Sequence, residues 1–213
     1  MNKARVLLAD DHKIVAEGLR GLLEPEFELV GIVENGRELI AKAQELDPDV
    51  IVADITMPSL NGIEAVAQLK KAGSNAKFVF LTMHHDVMYA KRAFEAGASG
   101  FVLKHSAPDE LLTAIREALK DRTYVTPMIA GELMKSYKNG PGLQKNALGK
   151  LTPRQREVLQ LLAEGKSAKE IAKTLHISTR TVEFHKYRMM EELRIETSAE
   201  LVQFAIKHGI ISI

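Results

Sequence analysis

The chain of 213 residues is long enough for one large domain, or for two small domains that each bury a core. It has no cysteine, no signal-peptide pattern and no apolar run near the roughly 20 residues of a membrane span, which excludes disulfides and thiolate chemistry and predicts a cytoplasmic protein without membrane contact. The net charge is +1. Residues 1–120 hold 14 basic and 18 acidic side chains, and residues 121–213 hold 15 basic and 10 acidic ones. This asymmetry favours an acidic module joined to one that binds a polyanion.

The first 120 residues alternate short apolar runs with amphipathic segments. The runs predict strands at 4–9, 27–33, 50–53, 77–82 and 100–103. Apolar residues at helical spacing predict helices at 13–24, 37–46, 63–72, 87–96 and 108–120. Five strands alternating with five helices predict an α/β domain over residues 1–120, built on a doubly wound (βα)5 parallel sheet.

The rest of the chain follows a different pattern. Residues 121–150 are rich in Gly, Pro, Asn and Lys, which predicts a linker that could contain a short helix near 128–137. Helical spacing then predicts four helices, at 153–164, 168–175, 179–193 and 198–208. Capping-box patterns at 152–155, 167–170 and 197–200 mark the starts of three of them. We therefore expect a small all-α domain of four helices over residues 151–213.

Polar side chains stand where the predicted strands end. They are Asp10 and Asp11 after the first strand, Asp54 after the third, Thr82 at the end of the fourth and Lys104 after the fifth. Asp54 alone could equally be a turn or capping residue. The carboxyl ends of parallel strands share one edge, however, and three carboxylates there require a hard cation such as Mg²⁺. With a lysine and a hydroxyl to bind phosphoryl oxygens, this set predicts a phosphoryl-transfer site.

These residues, in this order and with a Met-Pro turn at 57–58, resemble the CheY-like receiver domain of two-component response regulators over residues 4–120. The resemblance implies that Asp54 accepts a phosphoryl group from the phosphohistidine of a sensor histidine kinase. It also implies that Mg²⁺ is bound by the carboxylates of Asp11 and Asp54 and by the backbone carbonyl of Thr56. Asp10 would complete this metal site by orienting a metal-bound water.

The same resemblance assigns a switch to two further positions. Thr82 and Phe101 would form a switch pair, and Lys104 would contact a phosphoryl oxygen. The family often has Tyr at the position of Phe101, for which a purely structural role in the core is an equal alternative. His84 and His85 follow the switch threonine; they predict either a solvated loop at the site entrance or metal ligands that lack an identified third partner.

Residues 168–182 have the spacing of two short helices joined by a tight turn, a helix-turn-helix pattern that a generic helical interaction module would share. The stretches 151–159, 161–167 and 181–185 resemble the LuxR-type DNA-binding domain of NarL/FixJ response regulators. This implies that helix 179–193 enters the major groove, with Val182 in the core. The implied DNA contacts are Lys169, Thr179, Arg180, Thr181, Glu183, Phe184, Lys186, Tyr187 and Arg188.

Two departures from the family pattern alter this expectation. Several relatives have lysine at the positions of Glu183 and Tyr187. Glu can accept a hydrogen bond from cytosine and Tyr can donate one to phosphate, so we expect a changed sequence preference. The loss of two cations should also weaken non-specific binding and its salt dependence.

Together these patterns predict a response regulator that binds double-stranded promoter DNA under control of Asp54 phosphorylation. The resemblance implies that an exposed strip of the last helix makes a homodimer contact on DNA, and no enzyme activity is expected beyond the receiver's own phosphoryl transfer and dephosphorylation. One alternative is a phosphorylation-dependent adaptor without a DNA target, suggested by the glutamates around helix 179–193. The other is a phosphoaspartyl phosphatase, which needs an acid two residues after its nucleophile, where this chain has Thr56.

Overall fold

The computed structural model of the protein describes residues 3–138 and 147–211. The chain forms two compact units, Met1–Gly140 and Pro141–Ile213. Residues 139–146, which belong to the predicted linker, lie outside the described residues. Within the described ranges, no helix is both long and apolar enough to cross a bilayer.

The first unit is built on one parallel sheet. Its strands are β1 (Arg5–Ala9), β2 (Glu28–Val33), β3 (Val50–Ala53), β4 (Lys77–Thr82), β5 (Gly100–Leu103) and β6 (Tyr124–Val125). They lie in the order β2-β1-β3-β4-β5-β6, and every pairing is parallel. β3 and β5 are buried along their whole length, which explains their unbroken apolar sequences. The predicted doubly wound α/β fold is confirmed.

Five helices cover the two faces of this sheet. They are α1 (Lys13–Leu23), α2 (Gly36–Leu46), α3 (Gly62–Lys71), α4 (Val87–Glu95) and α5 (Ala107–Leu119). Apolar residues of α2, α3 and α4 form one core with the sheet, and those of α1 and α5 form a second core on the opposite face. The order of strands reverses between β1 and β3, and ligands of open α/β sheets bind at the strand ends beside such a reversal.

Residues 121–138, predicted as part of the linker, continue the first unit. β6 extends the predicted five-stranded sheet, where the backbone N–H of Thr126 donates to the carbonyl of Phe101 at 2.9 Å. Helix α6 (Pro127–Lys138) then places Ile129 and Leu133 in the core beneath α2–α4. A two-residue strand is too short to show a period, which is why the sequence indicated only a turn here.

The described part of the second unit contains four α-helices, as predicted, after a short 3-10 turn at Ala147–Lys150. They are α7 (Pro153–Ala163), α8 (Ala168–Leu175), α9 (Thr179–Leu193) and α10 (Ser198–Lys207). Each contributes to one core, which includes Val158, Ile171, Val182, Met189 and Leu201. Val182 is fully buried, as expected from the sequence.

Two of the three predicted capping boxes are confirmed. In α7 and α8 the side chains of Thr152 and Ser167 accept a hydrogen bond from the backbone N–H of the third helical residue. The side chain of that third residue in turn accepts a hydrogen bond from the backbone N–H of the cap residue. The third prediction is wrong in its second half. Thr197 does accept from the N–H of Glu200, but the Glu200 carboxylate accepts from the N–H of Glu196 instead. An exposed carboxylate reaches either N–H, so the sequence pattern does not decide between them.

Candidate functional site

The sheet brings the predicted polar residues to one edge. The last residues of β1 and β3 are in register, so Asp10 and Asp54, which follow them, lie side by side. Thr82 ends β4 in register with the last residue of β5, and Lys104 comes next. The convergence expected of parallel strands therefore places carboxylates, hydroxyl and ammonium together.

Lys104 joins the two buried carboxylates. Its Nζ lies 2.6 Å from Asp54 Oδ2 and 2.7 Å from Asp10 Oδ2. The three side chains are at most 7% exposed, so little water screens their charges. With Asp11 included, three carboxylates face one ammonium, and the cluster keeps an excess of negative charge.

Burial and the neighbouring charges shift the pKa values of Asp54 and Lys104. Desolvation raises the pKa of Asp54 to about 6; the attraction of Lys104 opposes this rise, and the nearby charge of Asp10 adds to it. Desolvation also lowers the pKa of Lys104, but Asp54 and Asp10 together outweigh it and leave this pKa raised. At neutral pH Asp54 is therefore mostly ionised, as a nucleophile must be, and Lys104 is charged.

The acidic residues fit a hard divalent cation. Ligand atoms of Asp10, Asp11, His12 and Asp54 all lie within 4.8 Å of one another. Asp11 Oδ1 is buried without a well-aligned hydrogen bond in the described part of the chain, although His12 Nδ1 is 2.9 Å away. A buried carboxylate oxygen without a donor is a ready ligand for Mg²⁺, which prefers oxygen. Sequence reasoning missed His12, whose only signal was its place after two aspartates.

Thr56 and His84 connect two loops at the entrance of this site. The Thr56 N–H donates to Asp54 Oδ1 at 3.3 Å, and the Thr56 hydroxyl is 2.7 Å from His84 Nε2. His84 also donates its backbone N–H to Thr82 Oγ1 at 3.2 Å and stacks on Tyr89 with centroids 4.1 Å apart. Burial is the main cause that lowers the pKa of His84. Its place at the entrance agrees with the loop interpretation.

The metal-ligand alternative for the two histidines is not supported. Among the described residues, the group able to share a metal ion includes neither His84 nor His85. The ring of His85 instead lies 4.8 Å from that of His105, centroid to centroid.

Two residues behind the site are fixed by packing. Phe101 is fully buried on β5, paired with Phe80 of β4, so its role as part of a switch stays a prediction beside its evident role in the core. Gly62 lies directly against the backbone of Asp54, because a Cβ there would overlap the carbonyl oxygen of Asp54. No pattern in the sequence indicated this close approach.

Helix α9 presents one exposed face in the second unit. Ser178 caps it by accepting from the Thr181 N–H at 3.0 Å. Its exposed positions recur at helical spacing and form what we name the α9 stripe: Arg180, Phe184, Tyr187, Arg188 and Glu191. Lys169 and Thr179 are also exposed, whereas Thr181, Glu183 and Lys186 are partly exposed. All nine predicted DNA contacts thus reach solvent, and their roles stay predictions.

Carboxylates accompany the cations of this helix. Lys186 Nζ lies 3.7 Å from Glu183 and 5.6 Å from the centre of the Tyr187 ring. Arg188 lies 3.1 Å from Glu191 and 3.5 Å from Glu192. Because Lys186 and Arg188 each have a glutamate partner and only Arg180 lacks an ion pair among the described residues, the net positive field of α9 is weak.

Comparison with known proteins gives a consistent result for both units. Residues 6–116 match the response regulator receiver domain, and residues 149–205 match the bacterial regulatory proteins of the luxR family. The transcriptional regulatory protein MctR of Rhizobium johnstonii is 34% identical over 99% of this chain and 96% of its own.

Solved structures of response regulators resemble this protein over nearly the whole chain. RcsB of Salmonella enterica serovar Typhimurium, bound to a promoter with the phosphomimetic BeF3−, is 30% identical with a TM-score of 0.62 over 95% of this chain and 98% of its own. A structure of two RcsB dimers bound to two parallel DNAs is 29% identical, with a TM-score of 0.59 over 95% of this chain and 98% of its own.

Proposed function

The chain belongs to the LuxR-family response regulators, transcriptional regulators that join a receiver domain to a DNA-binding domain, and we propose that phosphorylation of Asp54 controls its binding to promoter DNA. The observation that carries the proposal is the buried cluster in which Lys104 contacts both Asp54 and Asp10. We take residues 1–120 as the core of the receiver, 121–150 as the connecting segment and 151–213 as the DNA-binding domain.

The proposed chemistry is transfer of a phosphoryl group from a histidine of a sensor kinase. An oxygen of the Asp54 carboxylate attacks phosphorus, the N–P bond breaks, and the histidine nitrogen leaves with the bonding electrons. The product is an acyl phosphate on Asp54. Lys104, 2.6 Å from the carboxylate before the reaction, is placed to bind a phosphoryl oxygen after it, and the Thr82 hydroxyl at the same edge supplies a further donor.

The carboxylates of Asp10, Asp11 and Asp54, with the backbone carbonyl of Thr56, would hold Mg²⁺. When bound, the ion neutralises charge on the transferred phosphoryl group. The buried Asp11 Oδ1, which has no well-aligned hydrogen bond among the described residues, and the excess negative charge of the cluster support this assignment.

The proposed response to phosphorylation begins at Thr82. Its hydroxyl accepts from the His84 N–H, and rotation towards the phosphoryl group would exchange this bond for a stronger, charge-assisted one. Phe101, as the second member of the switch pair, would then move within the core. Since the Phe101 carbonyl accepts from the Thr126 N–H, such a movement reaches β6 and α6, and phosphorylation would thereby shift a pre-existing equilibrium towards the DNA-binding form.

In the DNA-bound form, α9 would lie in the major groove. The nine predicted contacts from Lys169 to Arg188 are accessible for this role. A homodimer paired through α10 would present two such helices to two half-sites; the DNA-bound RcsB dimers are a precedent in a similar chain. A sensor kinase and promoter DNA as partners imply that the protein works in the cytoplasm.

The two alternative functions have less support. A phosphoaspartyl phosphatase needs an acid at the position of Thr56, whose hydroxyl is instead bonded to His84. An adaptor without a DNA target does not explain why both family matches, and the exposure of α9, fit a DNA-binding regulator.

The acceptor assignment is tested with a small-molecule phosphodonor. Intact mass measured after incubation with acetyl phosphate and Mg²⁺ should show one added phosphoryl group in the wild type and none in Asp54→Ala. The control Asp109→Ala removes an exposed aspartate of the same unit and should be labelled like the wild type. Equal labelling of Asp54→Ala would refute the assignment.

A further inference from the structure

Phe184 is an apolar aromatic residue on the exposed face of α9. We infer that its ring packs against the 5-methyl group of a thymine, so that the target is read in part by apolar contact. This inference rests on the proposed function of α9 and adds the base chemistry that the helix selects. The argument comes from exposure, from position and from the charges nearby.

The described residues of the second unit leave the Phe184 ring largely uncovered. Its side chain is 61% exposed, and that of Tyr187 is 63% exposed. Among residues 147–211 these are the two large apolar side chains in the exposed class. An apolar ring in water gains free energy when a partner covers it, and both rings lie on the α9 stripe that would face DNA.

Phe184 and Tyr187 differ in their place along α9. Phe184 lies one helical turn after Arg180, in the first half of α9, and residues near the start of a recognition helix meet base edges. Tyr187 lies further along, and Lys186 Nζ is 5.6 Å from the centre of its ring. Phe184 makes a single edge contact with His185, at 5.8 Å between centroids, among the described residues. Of the two similarly exposed rings, that of Phe184 therefore lies nearer the start of the helix, where bases are read.

The surrounding charges limit what else α9 can read. Lys186 and Arg188 are held by glutamates of the same helix, so Arg180 is the cation of the stripe without an ion pair in the described chain. Of the four bases, thymine alone offers a methyl group in the major groove, and a phenyl ring can recognise that group without a hydrogen bond. Phe184 therefore suits thymine better than any other base.

The test removes only the methyl group. A duplex is selected from a random pool by the full-length protein in the presence of beryllofluoride and Mg²⁺. Each thymine of one half-site is then replaced by deoxyuridine, which leaves the hydrogen-bonding edges unchanged. For the wild type, one replacement should raise Kd about four-fold, the value of one buried methyl group, about 0.8 kcal/mol. Replacement at the other thymines should leave Kd unchanged.

Substitutions assign the effect to one side chain. Phe184→Ala should bind the thymine and the deoxyuridine duplexes equally, and Phe184→Leu should keep part of the difference in Kd between them. Tyr187→Ala should bind both duplexes more weakly while keeping the four-fold ratio of their Kd values. Circular dichroism of each variant reports whether α9 is folded. Tight wild-type binding that is insensitive to every deoxyuridine would overturn this inference and leave the proposed function intact. A failure to select any duplex would overturn both.

Discussion

The two functional regions of this protein are built in opposite ways. In the first unit, Asp10, Asp54 and Lys104 are almost completely buried, and Lys104 already contacts both carboxylates. In the second unit, the α9 stripe is exposed, and its charged side chains, such as Arg188 and Glu191, form exposed ion pairs along one helix. A site for chemistry is preorganised by the fold, whereas a surface for DNA is completed by its partner.

This difference should appear in energies. Charges in the buried cluster interact through a medium of low dielectric constant, and those of the stripe through water and salt. Substitutions of similar chemistry should therefore have unequal effects in the two units, and the following predictions exploit that inequality.

The largest effect is expected at Lys104. Lys104→Met leaves buried carboxylates without their cation and should cost about 3 kcal/mol of unfolding free energy at pH 7.5 in a chelator. The matched variant Arg188→Met, on the stripe, should cost less than about 1 kcal/mol. Urea unfolding followed by circular dichroism measures both. Equal losses of unfolding free energy in the two variants would show that burial does not strengthen the interactions of the cluster.

The next effect concerns Asp54 and pH. Its pKa in the folded chain, about 6, lies above the ordinary value of 3.8, so the wild type loses stability as pH rises from about 4 to 6. Asp54→Asn removes this titration. Without metal it should be more stable than the wild type by up to about 3 kcal/mol at pH 8 and no more stable at pH 3.5. Asp109→Asn is the control that should show no such trend, and a pH-independent gain in Asp54→Asn would contradict the burial argument.

A smaller effect is expected at the start of α9. Ser178→Ala removes the side chain that accepts from the Thr181 N–H and should cost about 1 kcal/mol, whereas Ser178→Asp should retain the cap. Hydrogen exchange of the Thr181 amide reports this locally, and should become about five-fold faster in Ser178→Ala. An unchanged exchange rate would mean that packing alone holds the first turn.

The smallest effect separates phosphate contacts from the rest of the stripe. Arg180→Gln should reduce the slope of log K against log salt by about 0.9, the value for one phosphate contact. Glu191→Gln, which changes charge on the same face without removing a cation, should not reduce it. If Arg180→Gln keeps the full slope, Arg180 does not contact phosphate.

How much the sequence predicts also differs between the regions. The acidic site was predictable because apolar runs end at Asp10 and Asp54, and parallel strands bring such ends together. The bond between Thr56 and His84 was not, because it depends on the direction of two loop side chains. β6 was too short to show a hydrophobic period. The need for glycine at position 62 was not predictable either, because it arises from the carbonyl oxygen of Asp54, which is distant in sequence.

In the second unit, the helices were predictable and their surface only in part. Cap residues and apolar spacing gave the bounds of α7 to α10 to within a residue. The exposure of Phe184 and the pairing of Lys186 with Glu183 needed the structure, because periodicity identifies a helix face but not which charges on it are neutralised.

The most direct test of the account is a footprint on promoter fragments, with and without beryllofluoride and Mg²⁺, for the wild type and Asp54→Ala. The account predicts protection that strengthens with beryllofluoride in the wild type alone, because the buried site controls the exposed helix. Equal protection in all four samples would contradict that control while leaving DNA binding in place. Absence of protection in every sample would contradict the proposed function itself.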